Sequence, residues 1–190
     1  MTLSRKDLTD DLIAHCYWLP SSVPGVWGRT ERFEAILGGF DAILSDIARK
    51  AGIEHVSFPP VIEREVIRRT GYMESFPELC GSIHSYREER GRHIDLIDQV
   101  DSGNDWTEFL EPMPLTLCPA ACYPLYPTLS GPLPESGREF DLTSYVFRSE
   151  PSDDPARLQS FRMHENVRVG RPDDVRRWRD DWADRGRELL

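Results

Sequence analysis

The chain has 190 residues and a formal net charge of −10, a length that suits one domain with a real core. Its 39% hydrophobic and 10% aromatic content excludes disorder and collagen-like structure. No apolar run approaches the roughly 18 residues that span a bilayer, the N-terminal MTLSRKDLTDDLIAHCYWLP has acids where a signal peptide needs an apolar stretch, and 33 acidic against 23 basic residues speak against non-specific nucleic-acid binding.

Residues 31–51, ERFEAILGGFDAILSDIARKA, place Phe33, Ile36, Leu37, Phe40, Ile43, Leu44 and Ile47 at helical spacing. They predict an amphipathic helix, weakened at Gly38-Gly39. A short strand over 53–58 follows, stopped by Pro59-Pro60. Residues 61–70 predict a helix, with Gly71 as its stop. Residues 84–115 are polar and turn-rich at first, and read as an insertion. Seven prolines fall between residues 112 and 134, which predicts an extended, stiff segment rather than a central strand. A strand over 142–149, a PSDDP loop and a returning strand over 158–169 come next. Pro172 with Asp173-Asp174 starts a last helix, whose Val175, Trp178 and Trp182 form a docking face. The order predicts an α+β fold, an antiparallel sheet flanked by helices.

Charge is uneven along this order. Residues 148–190 hold 10 Arg and 10 Asp/Glu, so the net negative charge lies in residues 1–147. The basic residues are 21 Arg and only two Lys, and arginine is the forked cation that suits phosphate and carboxylate. Cys16, Cys80, Cys118 and Cys122 are expected reduced in a soluble cytosolic protein. Cys118-x3-Cys122 has no second pair, so a metal there needs Glu or His as well. Alone, the two cysteines read equally as small buried hydrophobes and Glu165 as a surface acid. The five histidines form no ligand spacing; His164, beside Glu165, is the one to follow.

The most informative stretch is Phe147-Arg148-Ser149-Glu150, a loop, then Arg157-x3-Phe161. Two arginines around a loop between strands can clamp a polyphosphate. Glu150 can accept a hydrogen bond from an exocyclic amine, and Phe161 offers a flat face to a purine. Arg-x-Glu by itself also reads as a solvated pair on an exposed strand.

The full string resembles motif 2 of the class II aminoacyl-tRNA synthetases. Gly52-Ile53-x2-Val56-x2-Pro59-Pro60-Val61 is similar to motif 1, the dimer-interface helix and strand of that fold. GVWGRTERFE (25–34), GYMESFPELCG (71–81), CPAACYPLYPTLSG (118–131) and FRSEPSDDPARLQSFRMHENVRVG (147–170) resemble the amino acid:carrier protein ligases, truncated homologues of an atypical seryl-tRNA synthetase. The resemblance implies a cytoplasmic homodimer that uses ATP and Mg²⁺ to activate glycine or alanine as an aminoacyl-adenylate. The aminoacyl group would pass to the phosphopantetheine thiol of a carrier protein, without tRNA. Arg148 would bind the α-phosphate, Glu150 would read adenine, Arg157 would hold the outer phosphates and Phe161 would stack on the base. Zn²⁺ would be held by Cys122 and Glu165, with Cys118 as the substitute for Cys122. Motif 3 and a third zinc ligand would lie beyond Leu190. A catalytically inactive dimeric binding module on the same scaffold is the alternative, and a tRNA-charging enzyme the third reading. Arg64, Arg68 and Arg69, or Arg171, Arg176 and Arg177, would supply a carrier-binding patch.

Overall fold

A computed structural model describes residues 5–86 and 92–189. Residues 87–91, part of the expected insertion, lie outside the described residues. The elements run α1 (Arg5–Ala14), β1 (Trp18–Leu19), β2 (Gly28–Arg29), α2 (Glu31–Lys50), β3 (Glu54–Val56), β4 (Val61–Glu63), α3 (Arg64–Arg69) and α4 (Tyr72–Ser75). Then come β5 (Ser82–Tyr86), α5 (Arg92–Asp101), β6 (Leu110–Leu117), β7 (Arg138–Phe147), β8 (Ser160–Val169) and α6 (Pro172–Leu189). No described helix is long and apolar enough to cross a membrane.

Among the described residues three sheets form: β1-β2, β3-β7-β8 and β4-β6-β5. All pairs are antiparallel except β3–β7, where Glu54, His55 and Val56 run parallel to Phe140, Asp141 and Leu142. The 20-residue α2 links β2 to β3, so its length carries the chain to where β3 can lie alongside β7. It passes through Gly38-Gly39 without a break. Glu31 and Glu34 in its first turn and Arg49 and Lys50 in its last suit the helix dipole.

Two expectations change. Residues 61–70 are not one helix: β4 takes 61–63 and α3 takes 64–69. Val61 and Ile62 pair with Leu117 and Thr116, and strand pairing overrides their helical spacing. Gly71, at φ 69°, does end α3 as its left-handed conformation allows. The proline-rich segment also contributes a central strand, β6. β4 flanks only its 115–117 end, so Pro112 and Pro114 lie where β6 has a neighbour on one side alone. Proline is tolerated on such an edge, and a register irregularity opposite Ser82–His84 loosens the ladder there.

The main core forms where Ala121, Leu125, Phe140, Leu142 and Val146 are buried together, with Phe58, Leu129, Phe161, Met163 and Val167 packed around them. A second cluster of Ile62, Ile67, Tyr72 and Cys118 joins α3 to the smaller sheet. The residue 118–129 segment runs between both clusters, so the prolines hold it across the sheet. On α6, Trp178 and Trp182 pack edge to face at 6.0 Å, and Trp178 Nε1 donates to Glu139 Oε2 at 3.0 Å. The expected docking face is the one used.

Candidate functional site

The site is built on the β7–β8 ribbon. Its register pairs Phe140 with Val167, Leu142 with Glu165, Ser144 with Met163 and Val146 with Phe161. Cross-strand partners in an antiparallel pair point the same way. Phe161 and Glu165 therefore share one face with the apolar core and the 118–129 segment. The opposite face carries Asp141, Thr143, Arg162 and His164 and meets α2. The alternation expected over 158–169 places the two candidate residues together.

Arg148 lies just beyond β7. Its backbone N–H donates to Gln159 O at 2.8 Å, which adds one rung to the ladder. Its Nε donates to Pro119 O at 3.1 Å, and its guanidinium lies 5.6 Å from the Phe161 ring centroid. The carbonyl and the ring fix the cation over the face that carries Glu165. The strand expected to run to residue 149 stops at Phe147. Glu150 N–H bonds back to Arg148 O at 2.7 Å, so the chain turns and Glu150 leaves the pleat that would have aligned it with Arg148. Its carboxylate instead pairs with Arg157 Nη1 across the loop. Glu150 and Arg157, expected on different parts of a nucleotide, thus hold each other at the mouth of the loop.

That loop is held both by its own bonds and from outside. Asp154 N–H bonds to Ser152 Oγ, and Asp154 Oδ1 accepts the Ala156 N–H. Thr9 of α1 donates through Oγ1 to Asp153 O at 2.9 Å. Gln159, 6% exposed, donates Nε2 to Pro24 O and its N–H to Gly25 O, both at 2.8 Å. Gly25 sits at φ +77° with Gln159 3.2 Å from where a Cβ would be, so both conformation and space favour glycine. Sequence reasoning missed Thr9 and Gln159, whose side chains bond backbone far along the chain and leave no local pattern.

The two expected metal ligands are brought together. Glu165 Oε2 accepts the Cys122 N–H at 2.8 Å, and the Cys122 side chain lies beside the Glu165 carboxylate and the Tyr126 hydroxyl. Burial pushes the Cys122 thiol up, and the neighbouring Glu165 adds to the rise. Cys118 is fully buried, its Sγ donating to Ala120 O at 3.0 Å, and burial raises it to about 11. Tyr126 is likewise raised, by burial and then by Cys122. A thiol and a carboxylate are donors of the type zinc takes. Cys122 and Glu165 meet through the Cys122 backbone N–H, and no group of three or more metal-ligating side chains occurs among the described residues. The pair fits half of a zinc site. Tyr126 was read as packing; its spacing of four from Cys122 was the only signal of its contact.

His164, in contrast, points away. Its Nε2 lies 2.6 Å from Asp141 Oδ1 and its Nδ1 3.2 Å from Asp41 Oδ1. Asp141, 1% exposed, also accepts Ser45 Oγ and His55 Nδ1, each at 2.8 Å. Burial alone would raise the Asp141 carboxyl, but its hydrogen bonds to His55, His164 and Ser45 outweigh that and hold it low. Arg162 joins the network through Asp41 at 2.7 Å and Glu34 at 3.0 Å. This ionic seam fastens α2 to the sheet behind the candidate site.

Against known proteins, no family model matches the chain. It is 41% identical over 167 residues to amino acid--[acyl-carrier-protein] ligase 1 of Bradyrhizobium diazoefficiens, covering 87% of the chain and 51% of that protein. It is 40% identical over 181 residues to ligase 2 of the same organism, covering 94% and 54%. The chain thus spans about half the length of these curated relatives. Among solved structures, M. kandleri seryl-tRNA synthetase, in complex with A. aeolicus tRNASec, matches 98% of the chain and 38% of its own at a TM-score of 0.78 and 20% identity. Giardia lamblia prolyl-tRNA synthetase with prolyl-adenylate matches 94% and 35% at a TM-score of 0.67 and 16% identity. The fold is that of class II aminoacyl-tRNA synthetase domains.

Proposed function

From its homology to the amino acid--[acyl-carrier-protein] ligases, we propose that this chain carries the adenylate-forming centre of an ATP-dependent ligase. The carboxylate of glycine or alanine attacks the α-phosphorus of ATP, pyrophosphate leaves, and an aminoacyl-adenylate results. The phosphopantetheine thiol of an acyl-carrier protein then attacks the carbonyl carbon, AMP leaves, and a thioester forms. Such a displacement needs positioning and charge neutralisation more than proton transfer. Arg148, held by Pro119 O above Phe161, is the fixed cation for the α-phosphate. Phe161 supplies the stacking face, Glu150 the acceptor for the adenine amine, and Arg157 the outer-phosphate contact, once their mutual pair opens. Mg²⁺ accompanies the ATP. Cys122 and Glu165 would hold Zn²⁺, which when bound supplies a site for the substrate amine. A cation beside Cys122 would favour the thiolate that burial disfavours.

The single observation that carries this reading is the convergence of Arg148, Phe161, Glu165 and Cys122 on one face of the β7–β8 ribbon. The protein is proposed to work in the cytoplasm as a homodimer and without tRNA. For the dimer, Ile36, Phe40 and Ile43 form an outward apolar stripe on α2, each nearly half exposed. The test is amino-acid-dependent ATP–pyrophosphate exchange with glycine, alanine and serine, with Mg²⁺ and Zn²⁺ present. Exchange with one small amino acid supports the reading. A folded dimeric chain without exchange would favour the binding-module alternative.

A further inference from the structure

A cavity of about 430 Å³ opens on the reverse face of the β7–β8 ribbon, away from Arg148 and Phe161. Tyr145 and Ser160 of the ribbon form its floor. Val26, Trp27 and Arg29, in and just before β2, form one wall, and Glu34 of α2 forms the other. The aromatic wall is held in place from behind. Trp27 stacks on Trp18 with ring centroids 5.0 Å apart, and Trp18 meets Phe33 edge to face at 5.8 Å.

Arg29 is the anomaly in this lining. Its side chain is only 10% exposed, yet its guanidinium makes no hydrogen bond among the described residues, and Nη1 is buried without a partner. Glu34 Oε1 lies 3.6 Å from Nη1, too far for a hydrogen bond, and the Phe33 ring centroid lies 5.9 Å from the guanidinium carbon. Glu34 is committed elsewhere, since its Oε2 accepts from Arg162 Nη1 at 3.0 Å. A buried cation with unmet donors is costly, and a carboxylate is the group that its fork fits. A doubly charged phosphate would face Glu34 with one free cation to hold it, so a monoanion is the better match. The remaining lining of Val26, Trp27 and Tyr145 suits a flat apolar body.

The proposed dimer stripe leaves this cavity open. Glu34 and Asp41 of α2 face the ribbon through Arg162, whereas Ile36, Phe40 and Ile43 lie on the other side of the helix.

We infer that this cavity is a binding site for a small aromatic carboxylate. The carboxylate sits on Arg29, the ring lies against Trp27 and Tyr145, and the Ser160 hydroxyl is a further donor. The site is separate from the proposed adenylate centre, because the ribbon itself lies between them.

The test is an NMR titration of the isotope-labelled chain with phenylacetate and, separately, with phenylacetamide, which keeps the ring and loses the charge. Phenylacetate is expected to shift the indole N–H signal of Trp27. Phenylacetamide, and phenylacetate on Arg29→Gln, should bind about tenfold or more weakly, as loss of a close charge pair requires. Ser160→Phe, at an exposed position, fills the cavity and should abolish the shift; it decides the matter if Arg29→Gln does not fold. An unmoved Trp27 signal, equal binding of the amide, or a shift that survives Ser160→Phe overturns the inference. Shifts centred on Arg148 and Phe161 instead would put the carboxylate in the adenylate centre and overturn it as well.

Discussion

The two faces of the β7–β8 ribbon solve the same burial problem in opposite ways. One face packs Phe140, Leu142 and Val146 with Phe161, Met163 and Val167, and admits one carboxylate, Glu165, capped by the Cys122 N–H. The other face is ionic: Asp141, His164, Arg162 and Asp41 interlock beneath α2. The candidate chemistry sits on the apolar face, where a few charged groups are not screened by others. The ionic face holds the long helix in place without competing for the same charges. Alternate residues on two strands thus separate structural charge from the proposed reactive charge.

Several substitutions should break or sharpen this contrast. The largest effect is expected behind the site. Asp141→Ala strands His164 and Ser45 without their acceptor and should cost about 3–5 kcal/mol, read from urea unfolding. A cost below about 1 kcal/mol would show that the seam adds little. On the apolar face, Leu142→Ala, at 1% exposure, should cost about 2–5 kcal/mol through the cavity left. A core that collapses into the space would fall at the low end. Next comes Arg148→Ala, which should lower ATP–pyrophosphate exchange about 100-fold, the scale for removing one fixed electrostatic group. An equal loss of stability and exchange would reassign Arg148 to packing.

The faces should also differ in their response to acid. The Asp141 carboxyl is held below the ordinary aspartate value of 3.8. A depressed folded value means the stabilisation is present above that ordinary value and is lost as pH falls through the folded one. The urea midpoint should therefore drop below about pH 4 in the wild type, and that drop should shrink in Asp141→Asn. An identical acid profile in both would place the sensitivity elsewhere. The smallest effect belongs to the loop: Arg157→Ala removes an exposed ion pair with Glu150 and should change stability by less than about 1 kcal/mol. A larger change would mean that the pair organises the loop rather than merely closing it.

Much of this was legible in sequence for local reasons. The apolar spacing of α2, the Pro172 start of α6 and the tryptophan face that docks it follow from helical periodicity and end preferences alone. Phe161 and Glu165 share a face because they lie four residues apart on a strand, an even interval. β4 was hidden because Val61 and Ile62 satisfy either periodicity until Leu117 and Thr116 arrive as partners. β6 was hidden because proline is judged by the average strand, whereas this one is paired on both sides over only part of its length.

The sequence by itself determined α2, α6, the paired strands β7 and β8 and the class of fold, and it proposed the candidate residues. Each depends on periodicity or on a motif within a short span of chain. The tertiary structure decided which residues meet. It turned Glu150 out of the pleat and onto Arg157, set Arg148 between Pro119 and Phe161, and brought Cys122 to Glu165 across 43 positions. It also buried His164 against Asp141 and Asp41, away from the neighbouring Glu165. Such contacts arise only when the sheet register and the crossing 118–129 segment are fixed together, because long-range hydrogen bonds leave no periodic trace in the chain that makes them.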